Sequence, residues 1–470
     1  MAGSRTFPFM VEWLESLGYS PDTRMGGKIA EWMGWYNASN DWYSYETVRE
    51  FNKFTLKRDT LNPAALVAEA WSDLLMNEKL DIKSDDEEMT GILDEHFAGF
   101  GIGQADFTAL AFGEGTGAWA IRVDKVSDDG MMHPDAEIGI DEAEAPNILP
   151  LTWSDNDCTQ CAFATRVEID GKDYDQCQAH VLEDGTYHIL TQLFDVDRHS
   201  PVTLEGVMPD LDTRSEHPTF ALVKPAVPNV NFSHCAMGAS VFSKGISAIK
   251  AVDEALTSFL VHMRVGRPKV FVSETMIKKQ TKKGADGKAY TTYAAFGEAD
   301  DIVFRTAPTD EGKQPMNVVQ PDMRVAENEQ AINAGLKMLS LTCGLGDNYW
   351  SWDHKNGLKT ATEVVSDSSM LARSLRKHQN ALEKSITRIV RGVAGVARGI
   401  KGDPVDPNAA ISIDFDDSVI TDVQTDKNVM MSEIAAGLVP KWVFAKTFYN
   451  LSEEEARRWV EDIESAGDWA

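Results

Sequence analysis

Long apolar runs are missing from this 470-residue sequence. A spanning helix needs about 18 or more apolar residues in a row. No stretch approaches that, so no membrane-crossing segment is expected. The opening residues, MAGSRTFPFMVEWLESLGY, lack the charged start, long apolar centre and small-residue cleavage site of a secretory leader. Cysteine is scarce and odd in number, five in all, which fits reduced cytoplasmic thiols better than a disulfide framework. Positive charge is short: 45 Lys and Arg stand against 74 Asp and Glu, a formal balance of −29. Tight DNA binding needs cations placed on phosphates, so this balance argues against a protein that clings to DNA. It remains compatible with one that lets DNA pass.

Catalytic signatures are absent as well. There is no G-x-x-x-x-G-K-[ST], no H-E-x-x-H and no G-x-S-x-G. FGEGTGA (112–118) has the glycines of a phosphate loop but precedes a strand pattern, whereas phosphate loops follow a strand and open a helix; it reads as a turn. DFDD (414–417) reads as a solvated strand end. Cys158-x2-Cys161 with Cys177-x2-His180 resembles a zinc-ligand pattern. If 170–173 form the turn of that hairpin, residue 166 pairs with 177 and 161 with 182. Cys161 and Cys177 then stand about five residues apart along the sheet, on the order of 16 Å. No metal site and no cofactor are expected, and no enzyme.

Hydrophobic residues make up 43% of the chain, enough for a sizeable core, and the pattern is α+β. Residues 8–35 and 61–82 read as helical, the second capped by Asn62 with Pro63 at its first position. Leu66, Ala70, Leu74 and Leu75 would form its inner face. Further helical pattern ends in a glycine turn, with a strand starting at Ala118. Residues 118–235 read as strands and turns, including two hairpins with Asp-Gly turns. Helix returns near Ser243, with Ile249, Val252, Leu256, Leu260 and Met263 on one stripe, and stops at Pro268. Residues 268–320 read as a strand-rich insert. A helix from Pro321 to about Thr342 follows, with Val325, Ile332, Leu336 and Leu339 on one side. Two helices flanking an insert predict an out-and-back stalk.

A long loop, 343–358, then leads to the longest helix. Thr360-Ala-Thr-Glu363 fits a capping box. Val364, Leu371, Leu375, Leu382, Ile386, Ile389 and Val393 share a narrow arc, while Arg373, Lys377, Lys384 and Arg391 fall opposite. The run spans about 50 Å at 1.5 Å per residue, which predicts that it crosses a domain or subunit boundary. Residues 411–419 read as a strand. Three short helices close the chain, with Gly437 ending the first, Pro440 opening the second and SEEE (452–455) capping the third. The lysines at 278, 279, 282, 283 and 288 stand out against the acidic background.

KIAEWMGWYN (28–37), AWSDLLMNEKLDI (70–82), FGEGTGAWAIRVD (112–124), GLGDNYWSWDHKNGLKTATEVVSDSSMLARSLRKHQNALEKSITRIV (344–390), FDDSVITD and AAGLVPKWVF together resemble the portal proteins of tailed double-stranded DNA bacteriophages, of the type found in phages with long non-contractile tails. The resemblance implies a mainly helical portal fold: a wing (1–242), stem helices (243–267 and 321–342), a clip (268–320), a tunnel loop (343–358), the wing's long helix and strand (359–420) and a crown (421–470). It implies a homo-oligomeric ring, a dodecamer in the virion, at one capsid vertex. Double-stranded DNA would be packaged and ejected through it without sequence specificity. The implied partners are the terminase large subunit, the major capsid and scaffolding proteins and a head–tail adaptor. Assembly would take place in the host cytoplasm, and no membrane is involved. On that layout Tyr349, Trp350, Trp352, His354, Lys355 and Lys359 would lie at the DNA channel. Lys278, Lys279, Lys282, Lys283 and Lys288 would serve partner docking. Arg373, Lys377, Lys384 and Arg391 would meet a neighbouring subunit. The alternatives are another phage structural protein, such as a scaffold or adaptor, or a zinc enzyme built on the cysteine pattern.

Overall fold

A computed structural model describes residues 7–49, 52–76, 80–125, 135–155, 157–204, 206–266, 269–273, 279–283, 289–293, 303–306, 316–319, 321–347, 349–350, 369–415, 430–449 and 452–465. The order of elements is that of an α+β protein. Helices α1 (Pro8–Ser16) and α2 (Gly26–Tyr36) precede a two-stranded ribbon, β1 (Ser44–Arg49) with β2 (Asn52–Lys57). Helix α3 (Pro63–Met76), strand β3 (Asp81–Ser84) and helices α4 (Glu87–His96), α5 (Phe100–Gly103) and α6 (Ala105–Glu114) follow.

Here the structure corrects two expectations. The described part of the second helix runs to Met76, and residues 81–84, expected to continue it, form a strand instead. Asn62 does not cap α3. It adopts a left-handed φ of 53°, its own amide donates to Thr60 Oγ1 at 2.7 Å, and its Oδ1 is buried without a partner. Pro63 does open the helix. The inner face centres on Ala64, Val67, Ala68, Trp71 and Leu75, with Leu66 and Leu74 only half-buried.

At the end of α6, Gly115 has φ 88°, a left-handed cap. A side chain there would meet the backbone nitrogen of Ser240 at 2.6 Å. Strand β4 (Gly117–Asp124) starts two residues later. FGEGTGA is therefore a helix-to-strand turn, as its order suggested. Glu114 points inward, accepts from the Ala145 amide at 2.9 Å, and is pushed up to about 8 by burial.

Strand β4 joins β5 (Glu137–Glu144) and β12 (Phe220–Val223) in one sheet. Strands β6 (Ile148–Ser154), β7 (Asp157–Ile169), β8 (Lys172–Glu183), β9 (Thr186–Asp195), β10 (Pro201–Val202) and β11 (Asp210–Asp212) form the larger antiparallel sheet. The β7–β8 turn is the two residues Asp170 and Gly171, with φ 51° and 75°. Positive φ at both central positions is what the tightest hairpin turn requires. The register is therefore two residues off the expected one: Arg166 pairs with Asp175 and Cys161 with His180.

Beyond the sheets, α7 (Ile246–Val265) and α8 (Val325–Thr342) run antiparallel. Val252 packs with Ile332 and Leu336 between them. Their connection carries β13 (Lys269–Ser273), β14 (Lys279–Lys283), β15 (Ala289–Tyr293), β16 (Val303–Thr306) and β17 (Met316–Val319). Strand β13 lies between β16 and β17, and β14 pairs with β15. The expected stalk with a strand-rich insert is present.

Helix α9 (Ser369–Val396) is 28 residues long, about 42 Å, and passes directly into a π-helical turn at Ala397–Lys401. Leu371, Leu375, Leu382, Ile386, Ile389 and Val393 are all buried in the main core. The capping box at Thr360 and the stripe residue Val364 lie outside the described residues. Gly392, Gly395 and Gly399 let the segment 213–218 lie directly on the helix, because a side chain at each would collide with Pro218 O, Ser215 Oγ and Thr213 O. Strand β18 (Ile411–Asp414) pairs back with β3. Helices α10 (430–435), α11 (Lys441–Tyr449) and α12 (Glu453–Ser465) end the chain. The expected capping box of α12 forms reciprocally. The Glu455 amide donates to Ser452 Oγ at 3.3 Å, and the Ser452 amide donates to Glu455 Oε2 at 3.0 Å.

Candidate functional site

The outer face of α9 carries the clearest charged feature of the core-forming part. A groove of about 420 Å³ is lined by His217, Asn380, Lys384, Thr387, Arg388 and Arg391 among others. Lys384 Nζ reaches Asp157 at 2.8 Å, and Arg388 Nη1 reaches the same carboxylate at 2.7 Å. Partial burial alone would raise the Asp157 carboxyl, but the two cations outweigh it and hold it below the usual carboxylate range. Arg388 also donates to the carbonyls of Phe220 and Cys158 and lies over the Phe220 ring at 4.9 Å. It pins the long helix to β7 and β12. Sequence reading passed over Arg388 because it sits between the apolar arc and the opposite side; a cation at the border of a stripe is the signal that would have marked it.

Of the four expected interface cations, Lys384 is already engaged within its own chain. Arg391 is half-buried, with a buried Nε that has no partner. Arg373 and Lys377 are exposed. One turn inward, His378 is buried. Its Nδ1 accepts from the Ala226 amide at 3.0 Å, and its ring lies 4.4 Å from that of Trp71. Burial pushes it down to about 4, with Lys377 adding to the effect.

The loop after α8 begins as expected and then turns toward the body. Gly344 has φ 83°, an angle that other residues resist. The Trp71 indole donates to the Cys343 carbonyl at 3.2 Å. Tyr349 and Trp350 meet edge to face at 5.0 Å and pack on the main core. Burial, with Asp73 adding, pushes the Tyr349 hydroxyl up to about 12. These two aromatics thus cover core in their own chain. Trp352, His354, Lys355 and Lys359 lie outside the described residues, as do Lys278 and Lys288. Lys279, Lys282 and Lys283 stand on β14, paired with Tyr293, Tyr290 and Ala289.

The cysteine pattern divides between two cores. Cys158 and Cys161 face the main core, whereas Cys177, paired with Ala164, faces the smaller cluster with Met10 and Leu14. Cys161 and His180 face each other, but the structure does not bring the four residues together. Among the described residues no group of three or more His, Cys, Asp or Glu is arranged to hold a metal, and no helix is long and apolar enough to cross a membrane.

A family model described as phage portal protein, SPP1 Gp6-like, matches residues 177–468. That is more than half of the chain, from β8 through the stalk, the insert and the long helix to α12. No curated protein matches the chain.

Proposed function

The chain belongs to the SPP1 Gp6-like family of phage portal proteins, a structural component of the capsid, and we propose that it forms a dodecameric ring at one vertex through which double-stranded DNA is packaged and ejected. The observation that carries this reading is the unbroken family match over the stalk, its insert, the long helix and the C-terminal helices. In this reading α7 and α8 are the stem, residues 268–320 the clip, 343–358 the tunnel loop and 421–470 the crown. A net charge of −29 suits a conduit, because an acidic and neutral lining repels phosphates and gives DNA nowhere to stick.

The clip, with Lys279, Lys282 and Lys283 on one hairpin strand, docks the terminase large subunit during packaging and the head–tail adaptor afterwards. The basic groove of α9 receives an acidic flank of the next subunit. There Arg391, whose buried Nε lacks a partner, gains one; an unmet buried donor costs about 1–3 kcal/mol. Scaffolding and major capsid proteins surround the ring during assembly in the host cytoplasm.

The test is made in infected cells. Without this chain, or with residues 347–356 deleted, heads should form without full-length DNA. The deletion should leave rings intact. Normal packaging without the chain would contradict the portal role. Normal packaging by the deletion variant would remove the tunnel-loop assignment alone.

A further inference from the structure

One face of the ribbon β1–β2 is only partly covered among the described residues, by Arg58 over the Tyr45 ring. Antiparallel pairing sets Tyr45 opposite Leu56 and Thr47 opposite Phe54, so Tyr45, Phe54 and Leu56 share a face. Ser44, Glu46, Lys53, Thr55 and Lys57 share the other, where Lys53 reaches Glu46 at 3.3 Å. Apart from Thr47 and Val48, which fall on the apolar and polar faces respectively, the alternation is that of a strand pair with one side packed and one side wet. Yet Phe54 is 46% exposed and Tyr45 38%. A lone two-stranded ribbon is marginal in water and needs a further layer for stability.

Its base, by contrast, is held firmly. Asp253, fully buried within α7, accepts from Tyr43 Oη at 2.9 Å, Thr60 Oγ1 at 2.8 Å and the Leu61 amide at 3.0 Å. Arg58 meets Glu254 at 3.4 Å and lies over the Tyr45 ring at 4.4 Å. Arg264 meets Asp59 at 3.3 Å. The ribbon is therefore an arm fixed at its base to α7, with Tyr45 and Leu56 next to the base and Phe54 further out.

From this geometry we infer that the arm docks on the adjacent copy of this chain, laying Tyr45, Phe54 and Leu56 against it; the inference rests on the portal reading, which supplies the ring. Three features choose a second copy as occupant. The base is bonded to α7, so in a ring of stems every arm stands at the same junction, next to another copy. A stem residue near the arm's base is open as well: Val261 is exposed and lies one turn beyond Thr257, where α7 meets Asp59. Residues 44–57 hold three basic and two acidic residues in a chain of −29, so the arm is slightly basic while another copy of the chain is acidic as a whole.

The experiment places the photo-crosslinker p-benzoylphenylalanine at Phe54 of the full chain, and in a second variant at Thr55 on the wet face. Ring formation is read by mass photometry and crosslinks by denaturing gel and mass spectrometry. The expected result is rings in both, with a ladder of covalent multimers from position 54 and at least about fivefold less from position 55. As a second measure, the double substitution Tyr45→Ser and Phe54→Ser should raise the concentration at which rings half-dissociate by about tenfold or more. Intact rings with crosslinks only inside one chain, with none, or only to another phage protein would overturn the inference and leave the portal reading standing. A wild-type chain that never forms rings would overturn both.

Discussion

The long helix α9 and the α7–α8 pair use the same apolar spacing and come to different ends. On α9 every described member of the stripe, Leu371 to Val393, is buried by its own chain. On α7, Ile249, Val252 and Leu256 are buried, but Met263, further along the same stripe, is 46% exposed. On α8, Ile332 and Leu336 are buried while Val325 is open. Val261, Val265, Val319 and Met323 are open as well. An amphipathic stripe states that a face will be covered. It does not state which molecule covers it. The buried stripe sets the stability of one subunit, and the open stripe is apolar surface that the described residues of the chain leave uncovered.

The sharpest break in that contrast is Ile386→Ala. It leaves a cavity under the helix and should cost about 2–5 kcal/mol, read as a lowered midpoint in chemical unfolding of the dissociated subunit. Next in size is acid. His378 is pushed down to about 4, and His180, also fully buried, to about 3; the ordinary value is about 6.5. The unfolded chain binds more protons than the folded one between these values. Stability is therefore full above about pH 6.5 and falls as pH drops toward 4, by about 3 kcal/mol from His378 alone. Unfolding measured from pH 7 to 4 should show that slope, and His378→Gln should remove the His378 share of it while the His180 share stays. A slope unchanged in that variant would place the titration elsewhere.

Met263→Ser together with Met323→Ser works on the other side of the comparison. Subunit stability should stay within about 0.5 kcal/mol of the parent, while rings should dissociate at higher subunit concentration. If instead the subunit itself is destabilised like Ile386→Ala, the α7–α8 stripe is core and the contrast fails. The smallest effect on assembly is expected from reversing Lys279, Lys282 and Lys283 to Glu. Rings should be unchanged, and pull-down of the terminase large subunit should weaken.

Much of this was legible in the sequence. The stripe on α9, the α7 and α8 pair, the insert and the Ser452–Glu455 cap all follow from spacing or a local motif. Three features were not. The β7–β8 register depended on whether the turn took two residues or four, and only the positive φ of Asp170 and Gly171 settles it. That residues 81–84 are strand and not helix goes with the pairing of β3 with β18, more than 300 residues away, a long-range contact that no local window contains. The arm escaped notice although Lys53-Phe54-Thr55-Leu56-Lys57 alternates cleanly, because a short ribbon outside the core leaves little signal beyond that run. Tyr349 and Trp350 show the reverse case. Their size was legible, and their place against the core was not.

The central claim is that this acidic, two-part subunit closes into a ring around a channel wide enough for duplex DNA. Electron microscopy of the purified chain tests it most directly. Class averages should show closed rings of a single dominant symmetry, with a stain-filled central hole at least about 20 Å across, the width of the duplex that grooves of ~12 and ~6 Å wind around. Monomers alone at micromolar concentration, or compact particles without a central hole, would contradict it.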